Sequence, residues 1–175
     1  MPAPKMDRQI GPQHGHLILH MSREGVAAPA GHDLTIEMTR WSGRLRVGVD
    51  PVASELTVTV DMGSMRIVGG TGGITPLSER DKREILRNAR KILLVDRYPE
   101  GTFVAEEISE DAVDGTLSLL GRSHGLRLEY RIDGERYRAS GTVRQSDYGI
   151  KPFTALFGAL KLADAVRVEA ELDRS

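Results

Sequence analysis

Five histidines are the residues of this chain best suited to chemistry at neutral pH: His14, His16, His20, His32 and His124. His14, His16 and His20 share parity, so one face of an extended strand would carry all three. In such a strand His16 and His20 stand about 13 Å apart, too far for one metal ion to bridge without a bend. Zinc needs about three or four converging ligands, and no cysteine is present to supply any. No metal site is therefore expected. Ser123 and His124 are adjacent, but no Gly-x-Ser-x-Gly elbow surrounds a serine, and adjacency in sequence does not make a nucleophile and base. No carboxylate pair for acid–base work stands out. His32, where a loop meets a strand, offers a hydrogen bond either to a ligand headgroup or to the loop backbone. Asp33 beside it suits an acceptor at the start of a strand. Catalysis is not expected.

The elements around these residues are mostly strands. Leu17, Leu19 and Met21 alternate with polar neighbours, as do Leu34, Ile36 and Met38. Ser42-Gly43 reads as a turn before Leu45, Val47 and Val49. Leu56, Val58, Val60 and Met62 follow a break at Asp50-Pro51. This period of two marks strands with one apolar face. Residues 65–76, with Gly69-Gly70 and Gly72-Gly73, read as a flexible connection; the Gly-Lys-Ser/Thr ending of a phosphate loop is missing. A helix is expected over residues 78–94, capped by Ser78 with Glu79 and Asp81 in its first turn. Its stripe is Ile85, Leu86, Ala89, Ile92 and Leu93, and Arg83, Arg87, Arg90 and Lys91 make its other face basic.

Alternation resumes with Phe103 and Ala105. Val113, Leu117 and Leu119 come next, then Leu126, Leu128, Tyr130 and Ile132. Asp133-Gly134 signals a tight hairpin before Tyr137, Ala139 and Val143, and Val166, Val168, Ala170 and Leu172 form the last run. The pattern predicts an all-β fold: a closed antiparallel barrel of about eight strands, with one helix inserted between the fourth and fifth. Residues 151–162 break the alternation. Phe153, Leu156, Phe157 and Leu160 are spaced for a short amphipathic helix or an apolar flap over one barrel end.

With 175 residues, 39% hydrophobic and 28% charged, the chain suits one domain, read as residues 1–175 with 1–14 a flexible extension. A net charge of −1 argues against a general nucleic-acid binder. No run approaches a membrane span and no signal-peptide core is visible near the start. The expected location is the cytoplasm, without stable membrane insertion; transient membrane contact and a homodimer are both compatible with the pattern.

Several motifs in order resemble the YceI-like family of lipocalin-like polyisoprenoid-binding proteins. They are Trp41-Ser42-Gly43-Arg44-Leu45-Arg46-Val47, Glu79-Arg80-Asp81-Lys82, Tyr98-Pro99 before Thr102-Phe103, Gly115-Thr116-Leu117-Ser118-Leu119 with Gly121, Ala139-Ser140-Gly141-Thr142, and Asp147-Tyr148-Gly149-Ile150. The resemblance implies a lipocalin-like barrel with a long apolar cavity for an amphiphile such as a polyprenyl or isoprenoid-quinone tail. No cofactor is required; a bound isoprenoid or fatty-chain lipid is the expected ligand and partner. The expected lining and mouth comprise Met38, Trp41, Leu45, Val47, Val58, Val60, Phe103, Leu117, Leu119, Leu126, Leu128, Tyr130, Phe153, Leu156, Phe157, Leu160, Val166 and Val168, with His32 facing the headgroup. Two other readings compete. A barrel filled by side chains would be a structural or protein-interaction module, and a polar cluster in the lumen would make a small enzyme acting on a lipid-like substrate.

Overall fold

The computed structural model describes residues 4–73, 75–155 and 160–175. In chain order the strands are β1 (Met6–Ile10), β2 (Gly15–Glu24), β3 (Asp33–Met38), β4 (Trp41–Val47), β5 (Glu55–Asp61) and β6 (Met65–Thr71). Helix α1 (Glu79–Ile92) follows. Then come β7 (Glu100–Ile108), β8 (Ala112–Leu119), β9 (Arg122–Asp133), β10 (Arg136–Arg144), β11 (Thr154–Ala155) and β12 (Leu160–Asp173).

All pairings are antiparallel, in the order β1-β4-β5-β7-β8-β9-β10-β12-β2-β3-β6, with β11 added to β12. The first three pairs of strands are each one stretch of chain with a bend. β1 passes into β2 through a short turn (Pro12–His14), β3 into β4 across Thr39-Arg40, and β5 into β6 across Met62-Gly63-Ser64. β3 pairs with β2 and β6, while β4 pairs with β1 and β5. Counting each bent pair as one strand gives eight, and each of the eight has two neighbours. The curled sheet thereby closes as a barrel. At the bends single halves are left with one partner: β1 pairs only with β4 at one end, and β6 only with β3 at the other.

The all-β barrel agrees with the sequence pattern, but four details differ. Twelve strand segments are present among the described residues, because bends divide three of the long strands and the short β11 adds one. The helix follows the third long strand, not the fourth: residues 33–47 look like two strands in sequence and form one bent strand. Ser42-Gly43 is not a turn but lies inside β4, where Gly43 pairs with Val58 and a Cβ would press on the Thr57 carbonyl. The bend falls at Thr39-Arg40, where the Thr39 N–H donates to Ser64 O at 3.0 Å and the Asp61 N–H to Arg40 O at 3.0 Å.

Two further segments are more ordered than their composition suggests. Residues 6–10 form β1, in register with β4 from Met6↔Val47 to Ile10↔Gly43, so this part of the expected flexible extension is a strand. Residues 65–71 form β6, so the glycine-rich stretch is a connection only from Gly72 onward, where Gly72 and Gly73 take positive φ. Helix α1 begins as expected: the Ser78 hydroxyl accepts from the Asp81 N–H at 3.1 Å, and the Asp81 carboxylate accepts from the Ser78 N–H at 3.0 Å. This capping box satisfies two of the amides a helix start leaves open. Leu77, Ile85 and Leu86 pack on buried Leu34, Ile36, Met38 and Ile67, covering the β6 end of the barrel. Leu156 and Phe157 lie outside the described residues, as does the Leu160 side chain. On either side of them Thr154 pairs with Lys161 and Ala155 with Leu160 in antiparallel fashion.

Candidate ligand-binding cavity

The inward faces of the strands enclose a cavity of about 1340 Å³. Typical small-molecule pockets occupy about 300–1,000 Å³. The space arises from strand parity. Leu45, Val47, Val58, Val60, Phe103, Leu117, Leu119, Leu126, Leu128, Val166 and Val168 all line it. Leu45, Phe103 and Val166 are buried; the other eight are only half-buried although they point inward. No large side chain among the described residues is fully buried. Inner side chains that retain accessible surface show that the lumen is hollow, one of the two outcomes open to an eight-stranded barrel.

Met38, Trp41, Tyr130, Phe153 and His32 also line this space. His32 does so as a tether: its Nε2 lies 2.7 Å from Thr75 O, holding the loop after β6. Other contributors escape a site reading of the sequence. Met6 and Ile10 fall in the supposed extension, and Met65 in the supposed flexible loop. Leu17, Leu19, Met21, Leu34 and Ile36 carry the same alternation as the residues singled out and could have been added on that signal. The helix supplies Ile85, Ala89, Ile92 and Leu93.

Two polar side chains on the inner side are satisfied by backbone. Buried Gln145 donates from Nε2 to Ala163 O at 2.9 Å. Tyr130 donates to Ser109 O at 2.7 Å, and burial raises the pKa of its phenol, as it does for Tyr148. Neither phenolate is favoured near neutrality. The histidines do not converge. His14 Nδ1 accepts from the Gly11 N–H at 3.1 Å in the turn after β1. His16 stands on the outer face, 2.9 Å from Glu37, and His20 is 3.3 Å from Glu169. The His124 ring meets the edge of Tyr148 at 5.4 Å between centroids. Among the described residues no group of three His, Cys, Asp or Glu is placed to hold a metal ion. The arrangement suits enclosing an apolar body.

The cavity reaches two rims. Near the helix the rim carries His32, Arg23, Asp81, Glu84, Asn88, Phe153 and Lys161. At the opposite end, where β1 starts and β12 finishes, it carries Lys5, Val49, Pro51, Ile132, Glu135 and Arg174. No helix among the described residues is long and apolar enough to cross a membrane.

Solved structures share this architecture. The chain is similar to Burkholderia cenocepacia BcnA, with a TM-score of 0.60, 14% identity, and coverage of 90% of this chain and 94% of that one. It is also similar to a mutant CJ YCEI protein solved with a monobromobimane guest, with a TM-score of 0.58, 15% identity, and coverage of 79% and 82%. At such identities the likeness concerns the fold. No curated protein sequence matches the chain. The family comparison is broader in reach: the YceI-like domain matches residues 9–173, from the end of β1 to the end of β12, and the chain belongs to that family.

Proposed function

We propose that this protein binds and carries an amphiphile with a long apolar tail, of the polyprenyl, isoprenoid-quinone or fatty-chain kind, without a chemical step. The observation that carries this reading is the hollow lumen of about 1340 Å³, walled mainly by aliphatic side chains. A tail placed there loses contact with water at about 25 cal/mol per Å² of apolar surface. Affinity then needs no special polar contact, and selection among tails rests on length and shape. Membership of the YceI-like family supports the same class of ligand. The absence of catalysis belongs to this proposal: the inner polar groups Gln145 and Tyr130 spend their hydrogen bonds on carbonyls.

The test is native mass spectrometry of the purified protein, with organic extraction of whatever it holds. Titration with an isoprenoid quinone and with a fluorescent fatty chain should follow. The expected result is an extractable lipid or saturable one-to-one binding of at least one tail. An empty protein that binds neither probe would overturn the reading and favour a structural module.

A further inference from the structure

We infer that the rim away from the helix holds the ligand's head, and that this head is an anion, a carboxylate or phosphate. This inference rests on the carrier reading and adds a ligand class to it. Lys5 lies just before β1 and Arg174 just after β12, and both line the cavity. Arg8 leaves β1 on the same face as Met6 and Ile10, which also line it, and reaches the Asp173 carbonyl at the rim. Among the described residues none of these three cations forms an ion pair with a carboxylate.

Four of the carboxylates around them are already engaged. Asp7 pairs with Arg44 and Arg46, Asp133 with Arg138, Asp173 with Arg136, and Glu171 with both Arg136 and Arg138. Glu135 also lines this end, and among the described residues its carboxylate forms no ion pair. Arg174 spends one N–H on Gly134 O at 3.0 Å and rests over the Tyr137 ring, which also lines the cavity. Arg8 Nε is buried without a hydrogen-bond partner. Two other side chains have such an atom, Arg46 and His20, but each has a carboxylate within ion-pair distance. A buried guanidinium N–H left open is costly unless an acceptor arrives.

The rim by the helix differs. Arg23 has Asp33 at 3.9 Å and the Thr71 carbonyl at 3.2 Å, Lys161 has Glu24 at 3.8 Å, and Asp81 and Glu84 add negative charge. An anion is better received at the Lys5–Arg174 end. With its head there, a tail would run up the lumen toward Phe153.

Oleate and oleyl alcohol have the same tail and differ in head charge, so titrating both at about pH 8 tests the inference. Oleate is expected to bind about tenfold more tightly, as a charge-assisted contact allows. In a protein carrying both Lys5→Gln and Arg174→Gln, which leaves Arg8 in place, oleate affinity should fall most of the way to that of oleyl alcohol, with the thermal melt confirming the fold. Lys91→Gln, on the outer face of the helix, should keep the preference. Acetate at the same concentrations should not bind, since the head is recognised together with its tail. Equal affinities in the unaltered protein, a preference undiminished by the double substitution, or acetate binding as tightly as oleate would overturn the inference. In all three cases oleyl alcohol binding would leave the carrier reading standing. Failure of both long chains to bind would overturn the carrier reading and this inference with it.

Discussion

Asp61 ends β5 at the bend where the barrel wall turns toward the helix. Its carboxylate accepts from Arg40 Nε at 2.9 Å and from the Gly63 N–H at 2.8 Å. The Arg40 hydrogen bond, then the Gly63 amide, hold its pKa below the usual carboxylate range. A depressed folded-state pKa stabilises the fold above the unfolded value of about 3.9. That contribution is lost as pH falls through the lower folded value. Asp61→Asn should therefore lower the melting temperature by about 2 °C at about pH 7, a modest effect because the pair is partly exposed. The difference should shrink toward zero at about pH 2; melts of both proteins across that range check it, and a constant gap would show that the charge is not the cause. Nothing in the sequence marks Asp61, because its partners Arg40 and Gly63 meet it only once the strands bend. The inward aliphatic residues were legible for the opposite reason: parity is a local property, and Val58, Leu117, Leu126 and Val168 needed no knowledge of their partners. The histidines were legible only as isolated groups. That His32 bonds the Thr75 carbonyl depends on where the loop after β6 returns.

At the scale of elements, the bends and the helix seat are what the sequence concealed. Gly69 and Gly70 dilute the strand pattern of β6, since glycine weakens a strand interior. In the fold Gly70 serves close approach: a Cβ there would strike the Leu77 side chain, which comes in ahead of the helix. Opposite the two glycines the register slips, with Thr35 facing Gly69 and Ile36 facing Ile67, so Val68 is the extra residue of a bulge. The helix itself was readable from its cap and stripe, but its stripe has a double role. Ile85 and Leu86 pack on the Leu34–Ile67 cluster, while Ile85, Ala89, Ile92 and Leu93 also form cavity wall. Ile85→Asp should cost about 2–4 kcal/mol, because a carboxylate would face apolar side chains without a partner. A fall in melting temperature of about 5–10 °C would match it. Arg87→Asp, on the exposed outward side of the same helix, should cost less than about 1 kcal/mol. Equal effects of the two substitutions would mean that the helix does not seat on this face.

The whole molecule turns on one balance: a barrel large enough to close with eight long strands, lined by side chains too small to fill it. Two clusters anchor the wall, one around Leu34, Ile36, Met38 and Ile67 under the helix and one around Phe103, Ile108 and Val113 where β7 and β8 meet. Between them the inner residues are mainly Val, Leu, Ala and Met. Closure was legible as a count of alternating runs. The hollow was not, because the same runs would line a filled core equally well and only the barrel's girth decides between them. This makes an added side chain a direct probe of the space. Val168 sits in the middle of β12, opposite Leu19 on one side and Gly141 on the other, half-buried and facing the lumen. In a packed core Val168→Trp would force its neighbours apart and cost about 1–3 kcal/mol. In this barrel the indole has room, so the melting temperature should change by less than about 3 °C. The ligand then loses that room: affinity for a long-chain probe should drop at least about tenfold, while a shorter chain that stops before Val168 should bind nearly as before. Paired melts and titrations with chains of two lengths read out both effects. A large loss of stability would mean that the lumen is packed, and undiminished long-chain binding would place the tail outside the barrel.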